Sequence, residues 1–375
     1  MKKYFIIAAA ALVALSACSK VENPSVSANK AISFQVANYA GQTKAETETS
    51  LVTEGFTEFK TYAWFSSSTA TNQEFMTPAT VTWNATDKEW APSDRVYYWP
   101  KTGYINFFSF AGTHLPDAVD LNASSKAEAH YTTAITVATD DNILIADGAY
   151  GFYENNSPAK YGLDGVSEGV PTLFRHMLTR VKFDIKVDAT DATDDKDHWK
   201  VTVNSATLSY RNKGKLEVGF PATPSITLGA DNKPTAAGQT LQFTSAVWTP
   251  ESVANATLSK VADAVVVEAD GAAASDAKTI ISDSVVMPQD LATTDVTIAL
   301  NYTLEHSYNS GTAISEVVPI AATALTAFTP SITAWAPNTI YTYHIVIKPA
   351  ADHRILFDPA VEEWASVDTP TYTIE

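Results

Sequence analysis

With 375 residues and 45% hydrophobic content, the chain is long enough for two cores, since an ordinary domain takes roughly 100–200 residues. A formal charge of −17 at pH 7 argues against nucleic acid as a partner and against a basic membrane-binding face. A single cysteine rules out an internal disulfide framework, so stability must come from burial.

The chain opens with Lys2 and Lys3, followed by an apolar run from Tyr4 to Ala17. That run is shorter than the roughly 20 residues a membrane-spanning helix needs. A basic start, a short apolar stretch and small residues before a cut mark residues 1–17 as a secretory signal peptide. Leu15-Ser16-Ala17-Cys18 resembles the bacterial lipobox, in which small residues fit the peptidase and the following thiol takes the lipid. Cys18 is therefore the expected lipidation site. Acyl chains contribute about 0.8 kcal/mol per buried methylene, so a multiply acylated Cys18 would hold the chain to a membrane. Residues 19–30 are polar and read as a tether.

From Ile32 onward the hydrophobic pattern has period two. Ile32, Phe34 and Val36 alternate with Ser33, Gln35 and Ala37. Val181, Phe183, Ile185 and Val187 alternate with Lys182, Asp184, Lys186 and Asp188. The same holds for Val296 to Leu304 and for Tyr341 to Ile347, and residues 142–148 and 280–288 read as further strands. Long helical periodicity is scarce. The expectation is an all-β protein of two tandem antiparallel β-sandwich domains. Residues 18–44 form the tether and first strand, 45–172 the N-terminal sandwich and 173–375 the C-terminal one. The turn-rich stretch 165–171 supplies the division, and the strand beginning at Leu173 opens the second domain.

Motifs for chemistry are sparse. The acidic stretch 188–197 lacks the central glycine and closing glutamate of an EF-hand, and reads as a solvated loop. GVSEG, residues 165–169, matches a nucleophile-elbow pattern around Ser167, but Pro171 follows where a helix should begin. The seven histidines show no metal-ligand spacing, and Glu362 and Glu363 would point to opposite faces of a strand. No enzyme, no cofactor and no metal is expected. Trp64, Trp83, Trp90 and Trp99 cluster in one region; they read as core, the alternative being an exposed glycan-binding face.

Four stretches in order, RVYYWPKTGYINFFSFAG (95–112), VPTLFRHMLTRVKFDIKV (170–187), NTIYTYHIVI (338–347) and ILFDPAVEEW (355–364), resemble the bacterial fimbrillin family of type V pilus subunits. The resemblance implies two transthyretin-like sandwiches and a life as an outer-membrane lipoprotein on the cell surface, becoming part of a fimbrium after processing. It implies a trypsin-like cut after a basic residue, here Lys44 before Ala45. The family typically has arginine there, so an arginine-specific protease would not process this chain. It implies that the cut removes a first strand plugged by Ile32, Phe34 and Val36. The emptied groove is then filled by a donor strand from a neighbour's C-terminus, here Thr371, Tyr372, Thr373 and Ile374 in TPTYTIE (369–375). The implied partners are other pilus subunits, the outer membrane through lipid on Cys18, and a host or bacterial surface receptor in adhesion; no nucleic acid is expected. The alternatives are a permanently lipidated pilus anchor and a glycan-binding surface lipoprotein.

Overall fold

The computed structural model describes residues 26–38, 55–87, 89–121, 126–154, 169–190, 192, 194–251, 255–260, 265–349 and 354–363. Their regular structure is strand throughout, apart from one short helix, α1 (Leu325–Phe328). The first strands are β1 (Val26–Ala31), β2 (Phe34–Asn38), β3 (Glu58–Ser66), β4 (Gln73–Asn84), β5 (Glu89–Pro92) and β6 (Tyr98–Pro100). Next come β7 (Tyr104–Gly112), β8 (Ala118–Leu121), β9 (Lys126–Thr136), β10 (Ile143–Ala146), β11 (Gly148–Phe152) and β12 (Val170–His176). Then follow β13 (Thr179–Val187), β14 (Asp197–Arg211), β15 (Lys213–Ala222), β16 (Gln239–Leu241), β17 (Ser245–Pro250), β18 (Asn255–Ser259) and β19 (Val265–Asp270). The chain continues through β20 (Lys278–Val286), β21 (Gln289–Asp290), β22 (Thr297–Tyr308), β23 (Ile314–Ala324), β24 (Ala334–Trp335), β25 (Thr339–Lys348) and β26 (Arg354–Glu363).

The second half forms a sandwich. One sheet has the order β20-β13-β25-β26 and the other β18-β14-β22-β23, with β19 also on β14. Alternation explains both: Val181, Phe183, Ile185 and Val187 of β13 face Val201, Val203 and Leu208 of β14 and Ile298 to Leu304 of β22 in one core. Each strand gives one face to that core and the other to solvent. The β13–β25 pair is parallel over nine residues, so the sheet is mixed rather than purely antiparallel.

The first half closes on itself. Strands β10, β12, β2, β5, β4, β3 and β7 follow one another around a ring, and β10 completes it by pairing with β7 as well. Within the expected all-β architecture of packed sheets, the inner sheet here is thus a closed barrel, with a second sheet packed on its outside. That outer sheet, β17-β15-β9-β8, takes β15 and β17 from the chain beyond residue 212. Strand β7 explains the layering. Its Ile105, Phe107 and Ala111 point into the barrel, while Phe108 and Phe110 pack outward against Tyr131, Leu216, Val218 and Phe220. A strand buried on both faces reads as a continuous apolar run, which is what YINFFSFAG is. The 172/173 division expected from the turn composition falls inside β12, whose seven residues pair with barrel strands β10 and β2.

Candidate functional site

The residue set that the sequence singles out most sharply is the alternating trio at the first strand, and the barrel is built around it. Ile32, Phe34 and Val36 are 1%, 2% and 0% exposed. Phe34 meets Phe59 and Phe107 edge to face, with centroids 5.5 and 5.6 Å away. Phe59 in turn touches Trp90 and Phe174, each at 5.4 Å. The floor beneath β2 is therefore an aromatic seat. Burying three such side chains contributes roughly 4.5–9 kcal/mol.

The hydrogen bonding of β2 is lopsided. On one side it runs parallel to β12 in five consecutive pairs, from Val170↔Phe34 to Phe174↔Asn38. On the other it meets β5 at a single antiparallel pair, Phe34↔Trp90. Ahead of it, the Ile32 N–H donates to the Tyr97 carbonyl at 2.8 Å, and Ser33 O accepts from the Val170 N–H at 2.8 Å. Tyr97 is itself fixed: its hydroxyl donates to Asp94 at 2.9 Å, Arg95 lies 4.4 Å over its ring, and burial raises its phenol above the ordinary range.

Two features beside the trio shape the seat. Gly169 packs against the β2 backbone so closely that a Cβ there would lie 3.1 Å from the Phe34 carbonyl carbon and 3.2 Å from the Gln35 nitrogen. Arg175 on β12 forms a buried bidentate pair with Asp147, at 2.8 and 3.1 Å, in the break between β10 and β11. The Asp147 N–H also donates to Leu173 O at 2.9 Å. So β12, the wall on which β2 leans, is fastened from behind by charge as well as by pairing with β10. Sequence reasoning passed over both features. The signals were a glycine directly before an apolar strand and one arginine inside an otherwise apolar run.

Cys18, Lys44, Ala45 and Thr371, Tyr372, Thr373 and Ile374 lie outside the described residues, as does Ser167. Trp64, Trp90 and Trp99 are buried, and Trp83 is half-buried against the barrel core, so these four form no exposed aromatic face. His176 is buried with Nδ1 2.9 Å from Asn142 Oδ1, and His344 lies half-exposed 3.9 Å from Asp184. Among the described residues no three His, Cys, Asp or Glu side chains come together as metal ligands.

A family model described as fimbrillin-like matches residues 43–364. No curated protein matches the chain. Among solved structures, a fimbrial protein from Bacteroides vulgatus is similar at 15% identity, covering 90% of this chain and 100% of that one, with a TM-score of 0.47. The fimbrial anchor protein Mfa2 from Porphyromonas gingivalis is similar at 11% identity, covering 89% and 98%, with a TM-score of 0.24.

Proposed function

The chain belongs to the fimbrillin-like family, and from that premise we propose that it is a structural subunit of a surface pilus, serving adhesion. It is exported as a lipoprotein through Cys18, reaches the outer membrane, and is cut between Lys44 and Ala45. The cut frees the segment that carries β2, and a strand from another subunit takes its place.

The observation that carries this reading is the seat of β2. The short strand and the residue pair ahead of it supply three fully buried side chains, Ile32, Phe34 and Val36, to an aromatic floor, yet β2 is paired at only one position on its β5 side. Losing it would open the barrel and leave two sheet edges flanking an apolar groove. Unpaired edge groups are satisfied by an added strand, and alternate side chains of that strand fill the pockets. Until the cut, the resident strand is tethered, with an effective concentration in the millimolar range, and keeps competitors out.

The test is the N-terminus of the protein recovered from the cell surface, by intact mass and N-terminal sequencing. A chain beginning at Ala45 without lipid is the expected result. A chain beginning at acylated Cys18 with residues 32–36 still attached refutes strand removal and leaves a permanently lipidated anchor or surface protein.

A further inference from the structure

A cleft of about 360 Å³ lies where the barrel, its outer sheet and the sandwich meet. Its walls are the end of β12 and the residue after it at 175–177, the residues leading into β17, and the turn that opens β25. Hydrogen bonds fix these walls to one another. The Trp248 indole N–H donates to Met177 O at 2.9 Å, the Asn338 N–H to Leu178 O at 3.0 Å and the His176 N–H to Asn338 Oδ1 at 3.4 Å. Asn338 has a φ of +56°, a left-handed conformation that asparagine adopts more readily than most residues. The cleft is thus preformed, and its volume falls within the roughly 300–1,000 Å³ of ligand pockets.

The chemistry of the walls is narrow. Their uncharged polar side chains are amides and hydroxyls: Gln242, Thr244, Ser245, Asn338 and Thr339. Three of them are already held at one atom. Asn338 Oδ1 accepts from His176, the Thr244 hydroxyl donates to Gly219 O at 2.9 Å, and the Thr339 hydroxyl donates to Pro337 O at 3.0 Å. That leaves the Asn338 Nδ2 to donate and two hydroxyl oxygens to accept, while the exposed Gln242 amide can do both. Phe243 adds an apolar surface beside them.

The permanently charged residue on the walls, Arg175, is neutralised by Asp147 in a bidentate pair. A carboxylate, sulfate or phosphate would find no free counter-charge there, on a chain whose formal charge is −17. A wholly apolar ligand would strip water from the amides and hydroxyls without replacing its hydrogen bonds. An uncharged ligand, dense in groups that both donate and accept and with C–H surface for Phe243, satisfies every wall, and a saccharide has this character. We propose that the cleft binds the end of a neutral glycan. No residue of β1 or β2 lines it, so the site exists whether or not the first strand is removed.

The experiment applies the uncut full-length chain to an array of neutral and acidic oligosaccharides and titrates each bound member by calorimetry. The expected result is binding confined to neutral members. Gln242→Ala, at an exposed side chain, should weaken it about tenfold, as one lost hydrogen bond does, with the thermal midpoint unchanged. Asn338→Gly keeps the left-handed turn, removes the amide and should weaken it at least as much. Asn204→Ala, on the exposed face of β14 where its amide donates to Asn301 Oδ1 at 2.7 Å, should leave it unchanged. Binding to no neutral member, a preference for acidic members, or an affinity that neither Gln242→Ala nor Asn338→Gly changes would overturn the site.

Discussion

Replacing Phe34 by alanine tests whether the first strand is structurally integral to the barrel. Phe34 is 2% exposed, and its ring rests edge to face on Phe59 and Phe107. A buried Phe→Ala change costs about 3–5 kcal/mol through lost transfer energy and the cavity left behind. The floor of the seat is made of rings held by other strands, so the cavity is not readily filled and the expected cost is about 4 kcal/mol, the middle of the range. Hydrogen exchange at the β2 amides, in the chain that retains residues 26–38, should then speed up by about three powers of ten, since 1.4 kcal/mol is a factor of ten. Urea unfolding followed by fluorescence reports both halves, because Trp90 and Trp99 line the barrel core while Trp199 and Trp335 line the sandwich core, and hydrogen exchange assigns the loss to one of them. Val317→Ala on β23, at a side chain 58% exposed, is the control and should change stability by less than about 0.5 kcal/mol. A cost below about 1 kcal/mol for Phe34→Ala, or equal faster exchange in both halves, would refute the assignment of Phe34 as the central plug.

Arg175→Met leaves the Asp147 carboxylate buried without its guanidinium and should cost about 3–5 kcal/mol, whereas replacing both partners with apolar residues should cost much less; a double-mutant cycle in urea measures the difference. Gly112→Ala should destabilise the barrel by more than about 1 kcal/mol in the same assay, because φ is +111° and the new Cβ would sit 2.1 Å from the Asn142 carbonyl oxygen where β7 meets β10. The Asp188 carboxyl is held below its ordinary 3.8, first by the Thr190 hydroxyl and further by the Thr190 N–H and the Lys348 ammonium. Because its folded pKa is depressed, its stabilisation is present above pH 3.8 and lost as pH falls through the folded value. Asp188→Ala should therefore melt below the parent at pH 7, with the gap closing on acidification below 3.8 in a thermal series.

Local periodicity was enough to place strands and their inner faces. The alternating runs at 181–187, 296–304 and 341–347 are β13, β22 and β25, with the predicted apolar residues inside. It was also enough to find the trio of the seat, because alternation marks which side chains go inward. It did not show which strands pair. The parallel neighbours β2–β12 and β13–β25 join residues more than a hundred positions apart, and period two carries no partner information. Nor did it show that β15 and β17 return to cover the barrel. The apolar run of β7 signalled burial on both faces, but the outer layer it needs comes partly from residues 213–250. The floor of the seat was illegible for the same reason: Phe59, Phe107 and Phe174 sit on three different strands and meet only through closure.

Closure also fixes a direction. A closed barrel has no free edge, and removing β2 creates two at once, on β12 and on β5. The resident strand runs parallel to β12 and antiparallel to β5. Strand β2 meets both pairings with one orientation. A replacement that kept both pairings would run as β2 does. If it comes from near the C-terminus of another copy, each copy offers its seat at one place and its donor at a different one. Such a contact is heterologous, and when its rotation does not close into a ring it extends without limit as a filament. The polarity of a fibre would then follow from the two unlike pairings of a five-residue strand.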